Sequence, residues 1–474
     1  MNRNQWEGEN NLNEQPKQPP SADKLIRILA FTMILSSMSA TMFNIVLPEI
    51  SKQFQLSISQ VSWVSSIYML IYAIGSVIYG KLADTYKLKN LLTFGLLLFF
   101  VGSIAGLSAQ AYWMVLLGRV LQAAGAAVIP ATAMIIPVRY FPVENRGRAL
   151  GITATGLAIG NAIGPVVSAL IVSVFHWRWL FCIPLLILVT LPLYRKYLGN
   201  EQGQGGRIDW LGGGLLAGTV ALLLLAVMQG GWIYGLGSLI LFLLFLLRIR
   251  SAKEPFVQPR LFRNKSYTIG LVLGMFIMSV GYALPFLTPQ LLSDLNGLAP
   301  GWIGFVMVPG AVVTAMLGRR GGELADTRGT RYLFYAASTL LLLCFALLST
   351  FAGVSPLLIA LFLIFGNVGQ MFMQISLSKT ISLSLPKEQT GVGMGLFSLL
   401  NFLSGAIATG VYGKAVDLGA ESSWNPLNPF QGASTYSNIY TVLIALQAGV
   451  LLLFMLQFGK AEQRKLQIQT TGSK

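Results

Sequence analysis

Residues 113–138 read WMVLLGRVLQAAGAAVIPATAMIIPV, an apolar run with a single charge, Arg119, inside it. About 20 mostly apolar residues cross a bilayer as a helix. An arginine at the centre of such a helix costs ~2.5–3.5 kcal/mol on insertion scales. A chain tolerates that cost when the guanidinium faces protein or a water-filled cavity. The stretch therefore predicts a membrane helix with Arg119 on the wall of a polar pathway.

The composition extends the reading to the whole chain. Of 474 residues, 54% are hydrophobic and 11% are charged, where a soluble domain carries about 25% charged residues. Fourteen stretches qualify as spans: 25–47, 61–79, 91–108, 113–138, 149–172, 179–197, 210–228, 233–247, 267–287, 302–317, 332–352, 357–378, 392–416 and 439–458. The predicted fold class is an all-α polytopic membrane protein. Residues 1–24 are polar, with Pro16, Pro19 and Pro20, and read as a disordered cytoplasmic tail without a cleavable signal. Cys182 and Cys344 fall in apolar runs and read as small core hydrophobes. His176 is the only histidine and builds no histidine metal site alone. No cofactor or metal is expected.

Lysine and arginine set the orientation. With both ends in the cytoplasm, 29 of the 33 basic residues fall on the inner side. Lys52, Arg178 and Lys414 remain outside, and Arg119 lies within. The formal charge of +16 is then topology plus attraction to anionic lipid, and no nucleic-acid partner is implied.

The sequence GELADT at 322–327 repeats GKLADT at 80–85, and each follows an even-numbered span. This divides the chain into a tail (1–24), a six-helix half (25–197), an inserted helix pair with a basic loop (198–266), a second six-helix half (267–458) and a tail (459–474). Transporters built from two such halves bind substrate at the midplane between them. In the first loop, Gly80 permits close packing. Asp84, among Lys81, Lys87 and Lys89, is placed to pair with a base or a helix N-terminus and so latch one state. Gly322 and Asp326 occupy the same places in the repeat. Gly156, Gly160 and Gly164 recur every four residues, which makes a smooth stripe for a neighbouring backbone. Pro165, just after them, bends the helix.

These stretches, Gly80–Asn90 (GKLADTYKLKN), the Arg119 run and Gly156–Pro165 (GLAIGNAIGP), resemble signature motifs of the major facilitator superfamily. The fourteen spans resemble its drug:proton antiporter branch, of the EmrB/QacA and Gram-positive tetracycline-efflux type. The resemblance implies that the first loop gates the conformational change, with Asp84 and Lys89 on matching positions. Lys87 and Leu88 stand where the pattern has glycine and arginine. It also implies that the glycine stripe is the antiporter motif, governing closure between the halves. Its closing glycines are here Ser168 and Ala169. Proton exchange follows from the resemblance as well.

Candidate pathway residues are Arg119, Asn44, Gln122 and Asn161, with an interhelical hydrogen bond as the equal alternative for Asn161. Asn367, Gln370, Gln374 and Asn401 read first as interhelical hydrogen bonds. Cavity aromatics are expected among Tyr68, Tyr72, Phe276, Tyr282, Phe286 and Phe372. Carboxylate is scarce: Asp84, Glu144, Asp294, Asp326 and Asp417 approach the helices only near their ends. Asp417 with Lys414, Asp294 or Glu144 are the candidates for proton coupling. Without a midplane anion, neutral, zwitterionic or anionic amphiphiles suit Arg119 better than cations. The absence of a Walker A sequence, metal cluster or nucleophile–base pair points to transport rather than catalysis. The expected function is export of amphipathic drugs or antibiotics from a cell by alternating access, with a monomer as the unit. The alternatives are a carrier for one endogenous metabolite or self-made antibiotic, and a non-transporting membrane sensor.

Overall fold

The computed structural model describes residues 22–83, 85–199, 209–385, 387–430 and 432–471, and contains no strand among them. All fourteen candidate spans are helical. Three of the α-helical ones are broken shortly ahead of a proline. A proline cannot donate to the carbonyl four residues earlier. Pro48 thus ends α1 (Ala22–Thr41), and a tightly wound turn, Met42–Val46, leads to α2 (Leu47–Phe54). Pro130 separates α5 (Tyr112–Ala126) from α6 (Val128–Tyr140). Pro285 separates α11 (Lys265–Gly281) from α12 (Ala283–Asn296). The first span therefore continues past the apolar stretch to Phe54, because Pro48 restarts the helix at a position where its missing N–H costs nothing.

The first half adds α3 (Ile58–Leu82), α4 (Leu88–Leu107), α7 (Val143–Val172), a tightly wound segment Trp177–Val189, and α8 (Thr190–Tyr197). The second half adds α13 (Pro300–Thr327), α14 (Gly329–Thr350), α15 (Pro356–Leu383), α16 (Lys387–Leu418) and α17 (Ser434–Thr471). Between them, α9 (Trp210–Gln229) and α10 (Trp232–Ser251) pack on each other, and α9 rests on α3 and on α16. The ends bearing Lys24, Lys81, Arg139 and Arg248 form one basic face.

The glycine stripe of α7 lies on α1. A Cβ on Gly156 would sit 2.6 Å from the Ala30 carbonyl oxygen, and Cβ atoms on Gly160 and Gly164 would collide with Ser37 and Thr41. No side chain fits between these backbones. Gly160→Val is expected to force α1 away from α7, at about 1–3 kcal/mol for overpacking. A lowered thermal unfolding midpoint in detergent checks this, and an unchanged midpoint contradicts it.

The halves meet from the face opposite the basic loops down to the helix midpoints. Gly413 abuts Ile58 and Ser59, Ser66 Oγ bonds Thr409 Oγ1 (2.7 Å), Gly405 abuts Met69, and Tyr72 meets Phe402. On the second flank, Gly301 and Gly304 of α13 press on Ser173 and Ala169 of α7. Towards the basic face the helices part: a Cβ on Gly80, Gly151, Gly322 or Gly395 would meet nothing within 4 Å. The close packing expected of Gly80 and Gly322 is thus absent here, because no atom of a neighbouring helix reaches either position.

The loop after α10 is tied down at Asp209. Its carboxylate is buried and accepts from Gly212 N (3.1 Å), Phe256 N (3.2 Å) and Arg248 Nε (2.9 Å). Burial pushes its pKa up, but these donors outweigh burial and hold it below the ordinary carboxylate value. A depressed pKa means that the anchor is present above the unfolded pKa and is lost as pH falls through the folded one. Asp209→Asn should weaken the anchor by about 1–2 kcal/mol. Limited proteolysis of residues 252–258 should then be roughly tenfold faster at neutral pH, as it becomes for the unsubstituted chain only in acid. Equal cleavage rates would contradict this.

Candidate functional site

Glycines bring α5 against α4 so closely that a Cβ on Gly118 would lie 2.8 Å from Gly106 N. This places Ser103 beside Gln122, whose Nε2 donates to Ser103 Oγ (2.8 Å). The amide is thereby turned so that Oε1 accepts from Arg119 Nη1 (3.2 Å). Nη1 also donates to the Ser39 carbonyl (3.0 Å), one of the last carbonyls of α1, which has lost its helical partner at the break. Nε donates to the Val64 carbonyl of α3 (3.1 Å). The guanidinium lies between two rings, 4.5 Å from the Phe43 centroid and 4.0 Å from that of Tyr68. Desolvated cation–π contacts are worth ~2 kcal/mol each, which offsets part of the burial cost. Asn44 Oδ1 accepts from Ser65 Oγ (2.6 Å), so Arg119 and Asn44 grip neighbouring residues of α3.

Of the four pathway residues named from sequence, Arg119, Asn44 and Gln122 are thus brought together. Asn161 is not; it is exposed on α7. Arg119 also differs from its expected setting. It is 0% exposed and enclosed by rings rather than lining an open wall, because α1 supplies Phe43 at its break.

A column of ring contacts leads from Arg119 to the other half. Tyr68 stacks on Tyr72 (centroids 5.8 Å), and Tyr72 meets Phe402 of α16 edge-on (4.7 Å). Tyr282, at the break between α11 and α12, lies against Gly405 one turn beyond Asn401. The Gln370 amide of α15 packs on Gly281. Tyr68 Oη, Asn401 Oδ1 and Gln370 Oε1 are buried and carry no protein hydrogen bond. Of the aromatics proposed for a cavity, Tyr68, Tyr72 and Tyr282 lie along or beside this column. Phe286 is enclosed against Tyr412, Phe372 packs on Gly321, and Phe276 is half exposed. Gln370 and Asn401 had read as interhelical bonds. Their positions depend on how α11, α15 and α16 face one another, and composition does not carry that.

Each repeated loop is held by a base. Arg139 Nη2, at the end of α6, donates to the Ala83 carbonyl (2.8 Å). Lys379 Nζ, near the end of α15, donates to the Ala325 carbonyl (2.9 Å) and pairs with Asp326. The intervals are 56 and 54 residues, a correspondence between the repeats that sequence reasoning missed though both bases were in view. Lys89 lies half-buried in the first turn of α4. Asp84 and the side chain of Glu144 lie outside the described residues.

On the opposite face, Asp417 accepts from Ile58 N and Ser59 N, both at 2.7 Å, and so caps α3 from the other half. Its partner is therefore a helix N-terminus, where the partial positive charge favours an anion, and not Lys414. Asp294 accepts from Tyr436 Oη (2.5 Å), and the next residue in the chain before it, Ser293, approaches Lys52 Nζ of α2 (3.5 Å).

The Major Facilitator Superfamily model matches residues 29–409. The riboflavin transporter RibZ of Clostridioides difficile (strain 630) is 28% identical over 393 residues, covering 81% of this chain and 86% of the relative. The multidrug resistance protein Stp of Mycobacterium tuberculosis (strain CDC 1551 / Oshkosh) is 26% identical over 393 residues, covering 80% and 73%. Among solved structures, a POT family transporter in complex with a thioalcohol-conjugated peptide superposes with a TM-score of 0.67 at 14% identity, covering 92% of this chain and 96% of that one. The chain belongs to the major facilitator superfamily, and its fourteen spans and drug-resistance relatives fit that family's fourteen-span drug:proton antiporter branch.

Proposed function

We propose that this transporter exports aromatic, neutral or anionic amphiphiles from the cell, with both termini in the cytoplasm of a plasma-membrane monomer. The observation that carries this is the seam between the halves. It joins Tyr72 and Phe402, with Tyr282 beside them, and on the second-half side the oxygens of Asn401 and of Gln370, which packs on Gly281 next to Tyr282, are unbonded. Rings offer stacking without regard to detailed shape, and unbonded amide oxygens accept from N–H or O–H edges. No carboxylate accompanies them, so a cation finds no counter-charge there. The halves part towards the basic face, the side from which an exporter loads. Protons are the proposed counter-substrate, with Asp417 and Asp294 as the seam carboxylates that meet water on the outer side.

Initial rates in proteoliposomes with an imposed pH gradient test this. Rates that rise with an inwardly directed proton gradient support it. Rates indifferent to the gradient remove proton coupling, and absence of transport for every amphiphile tried removes the drug reading. A second reading, a carrier dedicated to one heteroaromatic metabolite, is favoured by the relative named as a riboflavin transporter. A single tight ligand in a thermal-shift screen that includes riboflavin would select it over a multidrug exporter.

A further inference from the structure

A groove of ≈ 250 Å³ opens on the flank of the first half, between α1 and the helix that ends in α8. It is lined by Arg27, Ile28, Phe31, Val189, Thr190 and Leu193. Its floor offers no free polar atom, because the Thr190 hydroxyl is buried and spent on the Ile187 carbonyl (2.6 Å). Phe31 is 45%, Val189 63% and Leu193 39% exposed, so the groove faces outward and apolar.

The two walls grade from apolar to cationic in the same direction. On α1, Phe31, Arg27 and Lys24 lie at helical intervals on one face, with Lys24 nearest the basic face. The other wall runs antiparallel, and Val189, Leu193 and Lys196 climb the same way. Successive turns are about 5.4 Å apart, so each wall rises about 10 Å from its apolar foot to its lysine. At the rim both lysines crowd one ring: Lys24 Nζ lies 5.7 Å and Lys196 Nζ 5.6 Å from the centre of Tyr197. Asp23 begins the same helix and offsets one of the three cations. Like charges gathered around one ring call for an anion. Four basic residues further along this face are placed differently: Arg139, Lys81, Arg248 and Lys379 are each committed to a carbonyl or carboxylate of the protein.

We propose that this groove is a binding site for an anionic phospholipid of the leaflet on the basic face. The phosphate sits at the rim among Lys24, Arg27 and Lys196, and an acyl chain lies along Phe31, Val189 and Leu193. The depth grading suits a molecule with its charge at the membrane surface and its hydrocarbon below, and a soluble phosphate would leave the apolar foot unfilled. The site lies on α1 beside the face that packs on the α7 glycine stripe, so lipid there flanks that contact.

Phosphatidylglycerol is the probe. The full-length protein is delipidated and titrated with phosphatidylglycerol or phosphatidylcholine, and bound lipid is counted by native mass spectrometry. The expected result is a saturable preference for phosphatidylglycerol. In the triple variant Lys24→Gln/Arg27→Gln/Lys196→Gln that preference should fall about fivefold for each base removed. A control removes the same number of charges elsewhere on the basic face, as Lys253→Gln/Arg260→Gln/Arg263→Gln, and should keep it. Leu193→Asn should weaken phosphatidylglycerol and phosphatidylcholine alike by removing an apolar wall. The proposal is overturned if the triple variant binds phosphatidylglycerol like the parent. It is equally overturned if the control loses as much, which would mean diffuse attraction to the basic face. Free inorganic phosphate displacing the lipid would reassign the rim to a soluble anion.

Discussion

Arg119→Lys is expected to lower the transport rate about a hundredfold while leaving a folded protein. Lysine keeps the charge and loses the planar fork. In the structure that fork reaches α1 through the Ser39 carbonyl and α3 through the Val64 carbonyl, and it shares Nη1 with Gln122 of its own helix. An ammonium on a flexible stem cannot satisfy both helices in that geometry, nor lie flat between Phe43 and Tyr68. Loss of two hydrogen bonds to a charged group removes ~1.5–3 kcal/mol apiece, and about 1.4 kcal/mol is tenfold. The stack of Tyr68 on Tyr72, and through it Phe402, would lose its fixed base. Initial rates in proteoliposomes, read beside a thermal unfolding curve, make the measurement. Undiminished transport would mean that Arg119 serves only as a point charge. Arg119→Ala should be worse for stability as well, since it leaves the Ser39 carbonyl at a helix end without a donor.

Asp417→Asn is expected to open the face opposite the basic loops. The carboxylate accepts two backbone N–H groups at the start of α3, and so joins α16 to the first half. Charge-assisted bonds of this kind are worth up to ~3 kcal/mol when dry. Asp417 is exposed, so solvent screening leaves about 1 kcal/mol, or a roughly fivefold shift in the balance of states. Spin labels at residues 56 and 420 should report a larger population of long distances in the variant. A variant with the parental distance distribution would show that the cap does not hold this face shut.

The helices were legible because membrane insertion imposes a one-dimensional rule: length and polarity decide a span. Even the shortest stretches, 233–247 and 302–317, lie in helices. The breaks were less legible, although Pro48, Pro130 and Pro285 stood in the sequence, because a proline removes a hydrogen bond without saying whether neighbours will hold the kink. The site was half legible. Arg119, Asn44 and Gln122 announce themselves as costly polar groups, and the cost requires that they meet protein. Asn161 carries the same signal and lies exposed. Asp417 was named for its charge, but its partner is a pair of backbone N–H groups, which no side-chain pattern displays. Tyr282, Gln370 and Asn401 were visible only as residue types, since their positions depend on how α11, α15 and α16 are rotated against one another within the second half.

The inserted helices invite a mechanical reading. Lys81 Nζ donates to the Pro255 carbonyl (3.0 Å), next in the chain to Phe256, whose N–H is held by Asp209. The same α9 that Asp209 caps leans on α3 and on α16, one from each half. A rocking motion between the halves therefore cannot leave this pair behind. It behaves as a tie-rod across a hinge, fastened to the frame by one lysine, and every opening of the basic face has to slide or bend it. Excising α9 and α10 should therefore change how fast the machine cycles before it changes what the machine carries.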